Sequence, residues 1–191
     1  MMDGSIYALK VVKLDDDDDM NSRDAIQAEI NILLSIKGFN ITLDIVDFEM
    51  QPDKALIVME LGDVDLKQFL KENPNMSEHK IASILEDMIQ CLSKFHELGH
   101  IHADLKPQNF MFKKGKVKLI DFGISMQMKS GTTMAFRDTI IGTPKYIAPE
   151  VIKLNYGMPG GAIHRASDIW SLGVIIHEMV CGYSPFDELM K

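Results

Sequence analysis

The most restrictive feature of this sequence is its last predicted helix, residues 168–180. Apolar side chains lie on every face of this helix and leave no polar side; they are Ile169, Trp170, Val174, Ile175, Ile176, Met179 and Val180. A helix of this kind must be buried on all sides. Only residues 181–191 follow this helix, so we expect this chain to leave one of its apolar faces uncovered.

Length and composition permit such a core. The chain has 191 residues, of which 46% are hydrophobic and 25% are charged, as in a globular protein of one medium domain or two small ones. The two cysteines, Cys91 and Cys181, have no CxxC spacing, so zinc binding and a disulfide framework are both disfavoured. This cysteine usage fits a reduced intracellular compartment.

The charge pattern argues against two classes of partner. The formal net charge is −8, and five of the 28 acidic residues form one run, Asp15 to Asp19. Nucleic acids and anionic lipids attract clustered Lys and Arg, so a mildly acidic chain suits neither. The sequence also lacks an apolar run of roughly 18 residues and a signal-like N-terminus. We therefore expect no nucleic-acid binding, no membrane binding and no export.

The first 62 residues are predicted to form a small unit with the order β, α, β, β. Its elements are a strand over residues 6–14, a helix over 22–37, and strands over 44–50 and 55–61. Lys10 lies inside the first strand, and Glu29 lies beside the apolar stripe of the helix. The aspartate run between them is predicted to be a loop.

The remainder of the chain is predicted to be mainly helical. Its elements are a short helix over residues 65–72, a long helix over 77–98, short strands over 110–112 and 117–120, and the last helix. A long irregular segment runs from Asp121 to about Glu150. Irregular segments of that length are usually functional.

Four polar residues in the stretch HADLKPQNFMFKKGKVKLIDFG supply groups suited to phosphoryl transfer. Asp104, Lys106 and Asn109 share one loop, and Asp121 follows a strand at the next turn. Phosphoryl transfer needs a carboxylate that orients the attacking hydroxyl and accepts its proton, and it needs oxygen ligands for Mg²⁺. We predict that Asp104 is the base, that Lys106 is a cation near the transferred group, and that Asn109 and Asp121 are the Mg²⁺ ligands.

This spacing resembles the catalytic loop and DFG signature of the protein kinases. The strand motif YALK and the later GTPKYIAPE also resemble kinase motifs, and the resemblance extends from Tyr7 to Phe186. It favours the serine/threonine class, because Lys106 precedes a proline in the loop. More narrowly, HADLKPQNFMF, KLIDFGIS, VMELGDVDL and IGTPKYIAPE are similar to the monopolar-spindle (TTK-like) dual-specificity checkpoint kinases.

The resemblance implies ATP and Mg²⁺ as cofactors and assigns further residues. Lys10 and Glu29 would pair to aim the lysine at the nucleotide phosphates. The residues assigned to the adenine site are Ala8 and Met111 on the two faces of the base, Met59 as gatekeeper, and Glu60, Leu61 and Gly62 as hinge. The residues assigned to an apolar spine between the lobes are Leu33, Ile45, His102 and Phe122.

The implied fold is α+β, a two-lobed protein-kinase-like fold that is truncated at both ends. Residues 1–62 would be a partial N-lobe and residues 63–191 a partial C-lobe. No glycine-rich GxGxxG loop precedes Ile6, and only residues 181–191 follow the last helix. A second hypothesis is therefore a truncated, catalytically impaired kinase remnant that acts as an interaction module. A small-molecule phosphotransferase is disfavoured by the Ala-Pro-Glu ending of the irregular segment.

The resemblance also implies a cellular role and its partners. The expected function is phosphorylation of protein substrates in the mitotic spindle checkpoint and chromosome segregation. The expected location is the nucleus or kinetochore and the cytoplasm, and self-association would permit autophosphorylation at Thr132 and Thr133. Ala103 stands where most kinases have an arginine that pairs with a phosphate of the irregular segment, so this chain lacks one common switch.

Two local patterns have alternative interpretations. His96, His100 and His102 could suggest a metal cluster, but no carboxylate or thiol at ligand spacing completes a closed site. We interpret His102 as a structural residue of the loop. Thr143 is predicted to form a hydrogen bond with the loop that contains Asp104.

Overall fold

A computed structural model describes residues 4–14, 19–123, 125–127 and 142–187. The fold is α+β, with a small part rich in sheet and a larger part rich in helix. In the small part the elements are β1 (Tyr7–Lys13), α1 (Asp19–Ser35), β2 (Ile45–Met50) and β3 (Lys54–Glu60). The predicted order is confirmed, but Asp19 belongs to α1 rather than to a loop, and the helix begins earlier than predicted.

The three strands form an antiparallel sheet in the order β1, β3, β2. Side chains of β1 alternate between the two faces of the sheet, with Tyr7, Leu9 and Val11 exposed on one side. Ala8 and Lys10 project from the other side and are half-buried. This period-two alternation places both residues on the face that lines the candidate site.

Two capped helices follow the sheet. These are α2 (Leu66–Glu72) and α3 (Glu78–Glu97). The Asp65 carboxylate accepts from the backbone N–H of Gln68 at 2.9 Å, and the Ser77 hydroxyl accepts from the N–H of Lys80 at 3.3 Å. Such N-caps satisfy donors that the first turn of a helix leaves without partners. The caps place both helix starts within a residue of their predicted positions.

Short strands and turns surround the loop that contains Asp104. They are β4 (His100–Ile101), β5 (Phe110–Lys113), β6 (Lys116–Leu119) and β7 (Met126–Gln127), with single 3₁₀ turns at Pro107–Asn109 and Pro144–Tyr146. β5 pairs with β6, and β4 pairs with β7. The predicted irregular segment is thus partly wrong, because it contains β7, the second 3₁₀ turn and the start of α4 (Pro149–Asn155).

The last helix, α5, spans Arg165–Cys181. The expectation that this chain leaves an apolar face of the helix uncovered is confirmed: Ile169, Trp170 and Val180 are 54%, 40% and 63% exposed among the described residues. The opposite face packs into the core through Leu172 and Ile175. Because the helix is apolar on every face, its sequence did not show which face packs into the core.

One apolar cluster joins the sheet, α1, α3, the β5–β6 hairpin and α5. Its fully buried side chains include Ile30, Ile57, Phe95, Phe110 and Phe122. Within the described part of the chain, no helix combines the length and the apolar character that crossing a membrane requires.

Candidate active site

An ion pair between β1 and α1 lies at the centre of the site. Lys10 Nζ is 2.6 Å from Glu29 Oε1 and 3.8 Å from Asp121 Oδ1. Glu29 is buried, whereas the side chains of Lys10 and Asp121 remain partly open to solvent. The buried carboxylate therefore holds the lysine ammonium at the edge of an accessible space, beside a second carboxylate.

That space is a cavity of about 370 Å³. Its lining combines an apolar interior with the three charged groups at one end; the residues are Ala8, Lys10, Glu29, Leu33, Thr42, Leu43, Met59, Leu61, Gly62, Met111, Ile120, Asp121 and Phe122. A small, mostly apolar cavity with a few polar groups is the usual form of a small-molecule site. The register of β1 with β3 places Ala8 opposite Met59 in this wall.

The segment after β3 lies directly against β5. Asp63 N–H donates to Phe112 O at 2.7 Å, and Lys113 Nζ donates to Leu61 O at 2.6 Å. A Cβ atom at Gly62 would clash with the Met111 side chain, so a glycine here permits the close approach without a shift of that side chain. The segment and Met111 together form one end of the cavity.

Glu60 does not line the cavity. Its backbone N–H donates to Asp44 O at 3.0 Å, and its carboxylate accepts from the N–H of Asp44 at 3.1 Å. The Glu60 side chain therefore bonds to the residue just before β2, whereas its neighbours Met59 and Leu61 line the cavity.

Asp104 lies in a network of three side chains. Lys106 Nζ donates to Asp104 Oδ2 at 2.6 Å, and Thr143 Oγ1 donates to Asp104 Oδ1 at 2.7 Å. The ammonium of Lys106 is also 3.3 Å from Thr143 Oγ1. The predicted bond from Thr143 to this loop is confirmed, and it brings the distant 142–146 segment to Asp104.

Asn109 and Asp121 are brought together by the β5–β6 hairpin. Ile120 N–H donates to Asn109 O at 2.8 Å, which places the start of the Asp121 turn beside the loop. Asn109 Nδ2 donates to Asp104 O at 2.7 Å, and no donor among the described residues bonds to its amide oxygen, which can therefore act as a ligand. An amide oxygen and a half-exposed carboxylate are the oxygen donors that Mg²⁺ prefers, and the pair fits that ion.

Asp168, on α5, organises the backbone of the loop. Its Oδ1 accepts from Ala103 N–H at 2.8 Å and its Oδ2 from His102 N–H at 2.9 Å, while His96 Nε2 lies 2.7 Å from Oδ2. Asp168 is 1% exposed. No role was predicted for this side chain, although the motif Asp-x-Trp-x-x-Gly that begins at Asp168 resembles the start of the central helix of the kinases.

The three histidines have separate partners. His96 contacts Asp168, His100 Nε2 lies 3.1 Å from Ser35 Oγ, and His102 Nε2 lies 3.1 Å from Ile120 O. Within residues 4–14, 19–123, 125–127 and 142–187 no group of three or more His, Cys, Asp or Glu side chains could hold a metal ion. The His102 ring also lies 5.7 Å from that of Phe122.

The cavity, the charged groups and the loop are the parts that a phosphoryl-transfer site requires, and a family comparison agrees. The family model for the protein kinase domain matches residues 1–191. The chain belongs to the protein kinase family. The expected α+β, kinase-like fold class is thereby confirmed.

Several curated kinases are similar to this kinase chain. Serine/threonine-protein kinase MPS1 of Saccharomyces cerevisiae is 36% identical over 192 residues, which cover 95% of this chain and 25% of that protein. MPS1 of Encephalitozoon cuniculi is 39% identical over 184 residues, covering 96% and 30%. Dual specificity protein kinase TTK of Mus musculus is 33% identical over 192 residues, covering 97% and 22%. The chain thus spans about a quarter of the length of these relatives.

Three residues of the kinase cavity were not predicted from the sequence: Thr42, Leu43 and Ile120. Thr42 forms an isolated bridge with Leu119, and Leu119 N–H donates to Ile41 O at 2.8 Å. These contacts join positions far apart in the chain, so no local pattern marked them. The predicted phosphorylation sites Thr132 and Thr133 lie outside the described residues.

Proposed function

We propose that this chain catalyses transfer of the ATP γ-phosphoryl group to hydroxyl groups of proteins. The supporting observation is the Lys10–Glu29 pair and the Asp121 carboxylate at one apolar cavity, with the loop that contains Asp104 joined to the Asp121 turn by the hydrogen bond from Ile120 N–H to Asn109 O. The similarity to serine/threonine and dual-specificity kinases supports serine and threonine as acceptors, with tyrosine as a further acceptor.

Asp104 is the base in this proposal. It already accepts a hydrogen bond from the Thr143 hydroxyl at 2.7 Å, the separation that a general base needs from the proton it removes. A substrate hydroxyl in the same relation would be oriented toward the phosphoryl group and would lose its proton to this carboxylate. Lys106 Nζ, 2.6 Å from Asp104 Oδ2, places positive charge beside the reacting atoms.

The cavity binds the nucleotide in this proposal. Ala8 and Met111 contact the two faces of adenine, Met59 closes the inner end, and Leu61 and Gly62 contribute the polar edge. Gly62 N–H has no hydrogen-bond partner within the described residues, so it is available as a donor. Glu60, whose N–H and carboxylate are already bonded to Asp44, is limited to its backbone carbonyl for this purpose.

The charged end of the cavity holds the phosphates. Lys10, fixed by Glu29, contacts the phosphate oxygens, and Asn109 and Asp121 would hold Mg²⁺. The ion, when bound, neutralises charge on the phosphates of ATP, which itself supplies the transferred group. The chain's own contribution is to bond Asn109 to Asp104 O at 2.7 Å and to place the start of the Asp121 turn beside Asn109 through the β5–β6 hairpin.

The boundary between lobes lies after Gly62 in this proposal, with residues 1–62 as the small lobe and residues 63–191 as the helical lobe. The similarity to MPS1 and TTK kinases supports a role in the mitotic spindle checkpoint and chromosome segregation, in the nucleus or at the kinetochore. Protein substrates are the expected partners, including a second copy of the chain for autophosphorylation at Thr132 and Thr133.

The test is transfer of radiolabelled phosphate from γ-labelled ATP, with Mg²⁺, to three peptides that differ only in a Ser, Thr or Tyr acceptor. Labelled Ser and Thr peptides are the expected result, and a labelled Tyr peptide would establish dual specificity. Label transfer that persists after omission of Mg²⁺, or an absence of transfer to every peptide and to the chain itself, would contradict the proposal.

A further inference from the structure

A second cavity, of about 520 Å³, adjoins the Asp104 network. It lies between α2, the loop residue Gln108, the Thr143–Tyr146 segment and the C-terminal end of α5. Thr143 lines this cavity and donates to Asp104 Oδ1 at 2.7 Å. A polypeptide whose hydroxyl reached Asp104 would therefore place its flanking residues in this groove.

Glu178 provides the one carboxylate among the described residues that line the groove, and both of its oxygens are engaged. Lys145 Nζ lies 2.5 Å from Oε1, and the Tyr146 hydroxyl donates to Oε2 at 2.9 Å. Lys145 also lies 3.0 Å from Asp187 Oδ1. The side chains of Lys145 and Glu178 are 29% and 13% exposed, so solvent only partly screens their attraction.

Lys145 stays protonated in this position. Partial burial lowers the pKa of Lys145, but its contacts with Glu178 and Asp187 outweigh that effect, and the pKa lies above its ordinary value. The groove also presents Lys67 and Lys71 on the exposed side of α2. Because Lys145 neutralises the Glu178 carboxylate, Lys67 and Lys71 give the lining of the groove a net positive charge.

We propose that Lys145 is a specificity-determining residue: by pairing with Glu178, it prevents the groove from binding basic side chains of the substrate. The groove then accepts segments whose residues beside the acceptor are neutral or acidic. This inference rests on the proposed function, since it assigns the groove to the polypeptide that carries the acceptor hydroxyl. Without Lys145, Glu178 would offer a half-buried carboxylate that an arginine could pair with.

The test measures binding rather than turnover. Fluorescent peptides with one Ser acceptor carry Arg, Gln or Glu at each neighbouring position in turn, and their affinities for the chain are measured by fluorescence anisotropy without ATP. The parent is expected to bind each Arg peptide no more tightly than its Gln counterpart. For Lys145→Gln, the affinity ratio of Arg to Gln peptide is expected to rise about tenfold at one or more positions, as for a newly available charge pair.

Two further variants identify the cause. Lys145→Arg keeps the positive charge and is expected to keep the parental ratio. The double variant Lys145→Gln/Glu178→Gln lacks the exposed carboxylate and is expected to lose the gain for Arg peptides. Thermal melts of all variants verify that they are folded before affinities are compared.

A parent that already prefers Arg peptides would overturn the inference without any variant. It would equally be overturned if no peptide bound, or if folded Lys145→Gln kept the parental ratio. A change in peptide preference without any phosphoryl transfer would leave the inference standing and contradict the proposed function alone.

Discussion

Asp168 Oδ1 accepts a hydrogen bond from the backbone N–H of Ala103 at 2.8 Å, and Ala103 has a φ of 67°. A residue with a Cβ atom is disfavoured in this left-handed conformation by about 1–2 kcal/mol. The buried carboxylate offsets that cost by accepting consecutive backbone N–H groups, those of His102 and Ala103. α5 thereby sets the conformation of the loop that presents Asp104.

Replacement of Asp168 by Asn is expected to destabilise the fold. An amide can accept one backbone N–H, but its NH₂ group would then face a second donor, which leaves buried groups without partners. The free energy of unfolding in urea should fall by about 3 kcal/mol. Asp53→Asn, at an exposed turn, is the matched control and should change it by less than about 0.5 kcal/mol. Equal effects of the two substitutions would contradict a structural role for Asp168.

The sequence predicted the residues of the charged centre because its motifs place them by short-range spacing. Asp104 and Asn109 share one loop, and Lys10 and Glu29 occupy consecutive elements, so local pattern and family resemblance were sufficient. The contact of Asp168 with Ala103 joins residues 65 positions apart. Local sequence patterns do not predict contacts between residues so far apart in the chain. The sequence predicted that α5 keeps an uncovered apolar face but not which residues lie on it, since the composition of this helix is similar on all sides.

Asp104→Asn is expected to lower the rate of phosphoryl transfer by about 10²–10⁴-fold, the usual contribution of a positioned acid or base. Nucleotide affinity should survive, because Asp104 does not line the cavity. The measurements are initial rates with a protein substrate and titration with a fluorescent ATP analogue. Asp53→Asn again serves as control. Transfer by Asp104→Asn at the parental rate would show that another group is the base.

Removal of the Lys10 ammonium is expected to weaken nucleotide binding. Lys10→Met should lower affinity for ATP by about 10–100-fold, since it removes a charge-assisted contact to phosphate. Glu29→Gln should have a smaller effect, because the lysine remains but loses its 2.6 Å partner. Calorimetric titration of both single variants and the double variant tests this relation. Additive losses in the double variant would mean that Glu29 does not act through Lys10.

The two cysteines should differ in reactivity. Burial raises the pKa of the Cys91 thiol to about 11, while Cys181 is exposed. Because the thiolate is the reactive form, iodoacetamide at mildly alkaline pH is expected to modify Cys181 and leave Cys91 unmodified until urea unfolds the chain. Peptide mass mapping measures the modification at each site. Rapid modification of Cys91 in the folded protein would contradict its burial between α3, on which it lies, and β6.

Stability should depend on pH through His100. This side chain is buried, its ring stacks on Phe95 with centroids 5.1 Å apart, and burial lowers its pKa below the ordinary value near 6.5. As pH falls through about 6.5, the unfolded chain binds a proton at His100 that the folded chain does not, so folding stability is lost in that direction. The loss should not exceed about 1.4 kcal/mol for each pH unit.

Urea unfolding from about pH 7 to about pH 5 would measure this loss of stability. His100→Phe is the variant that cannot titrate at this position. His79→Gln, at an exposed position of α3, is the control. The curve of His100→Phe should be flatter than that of the parent, whereas His79→Gln should follow the parent. Parallel curves for parent and His100→Phe would show that His100 binds its proton equally well in the folded chain.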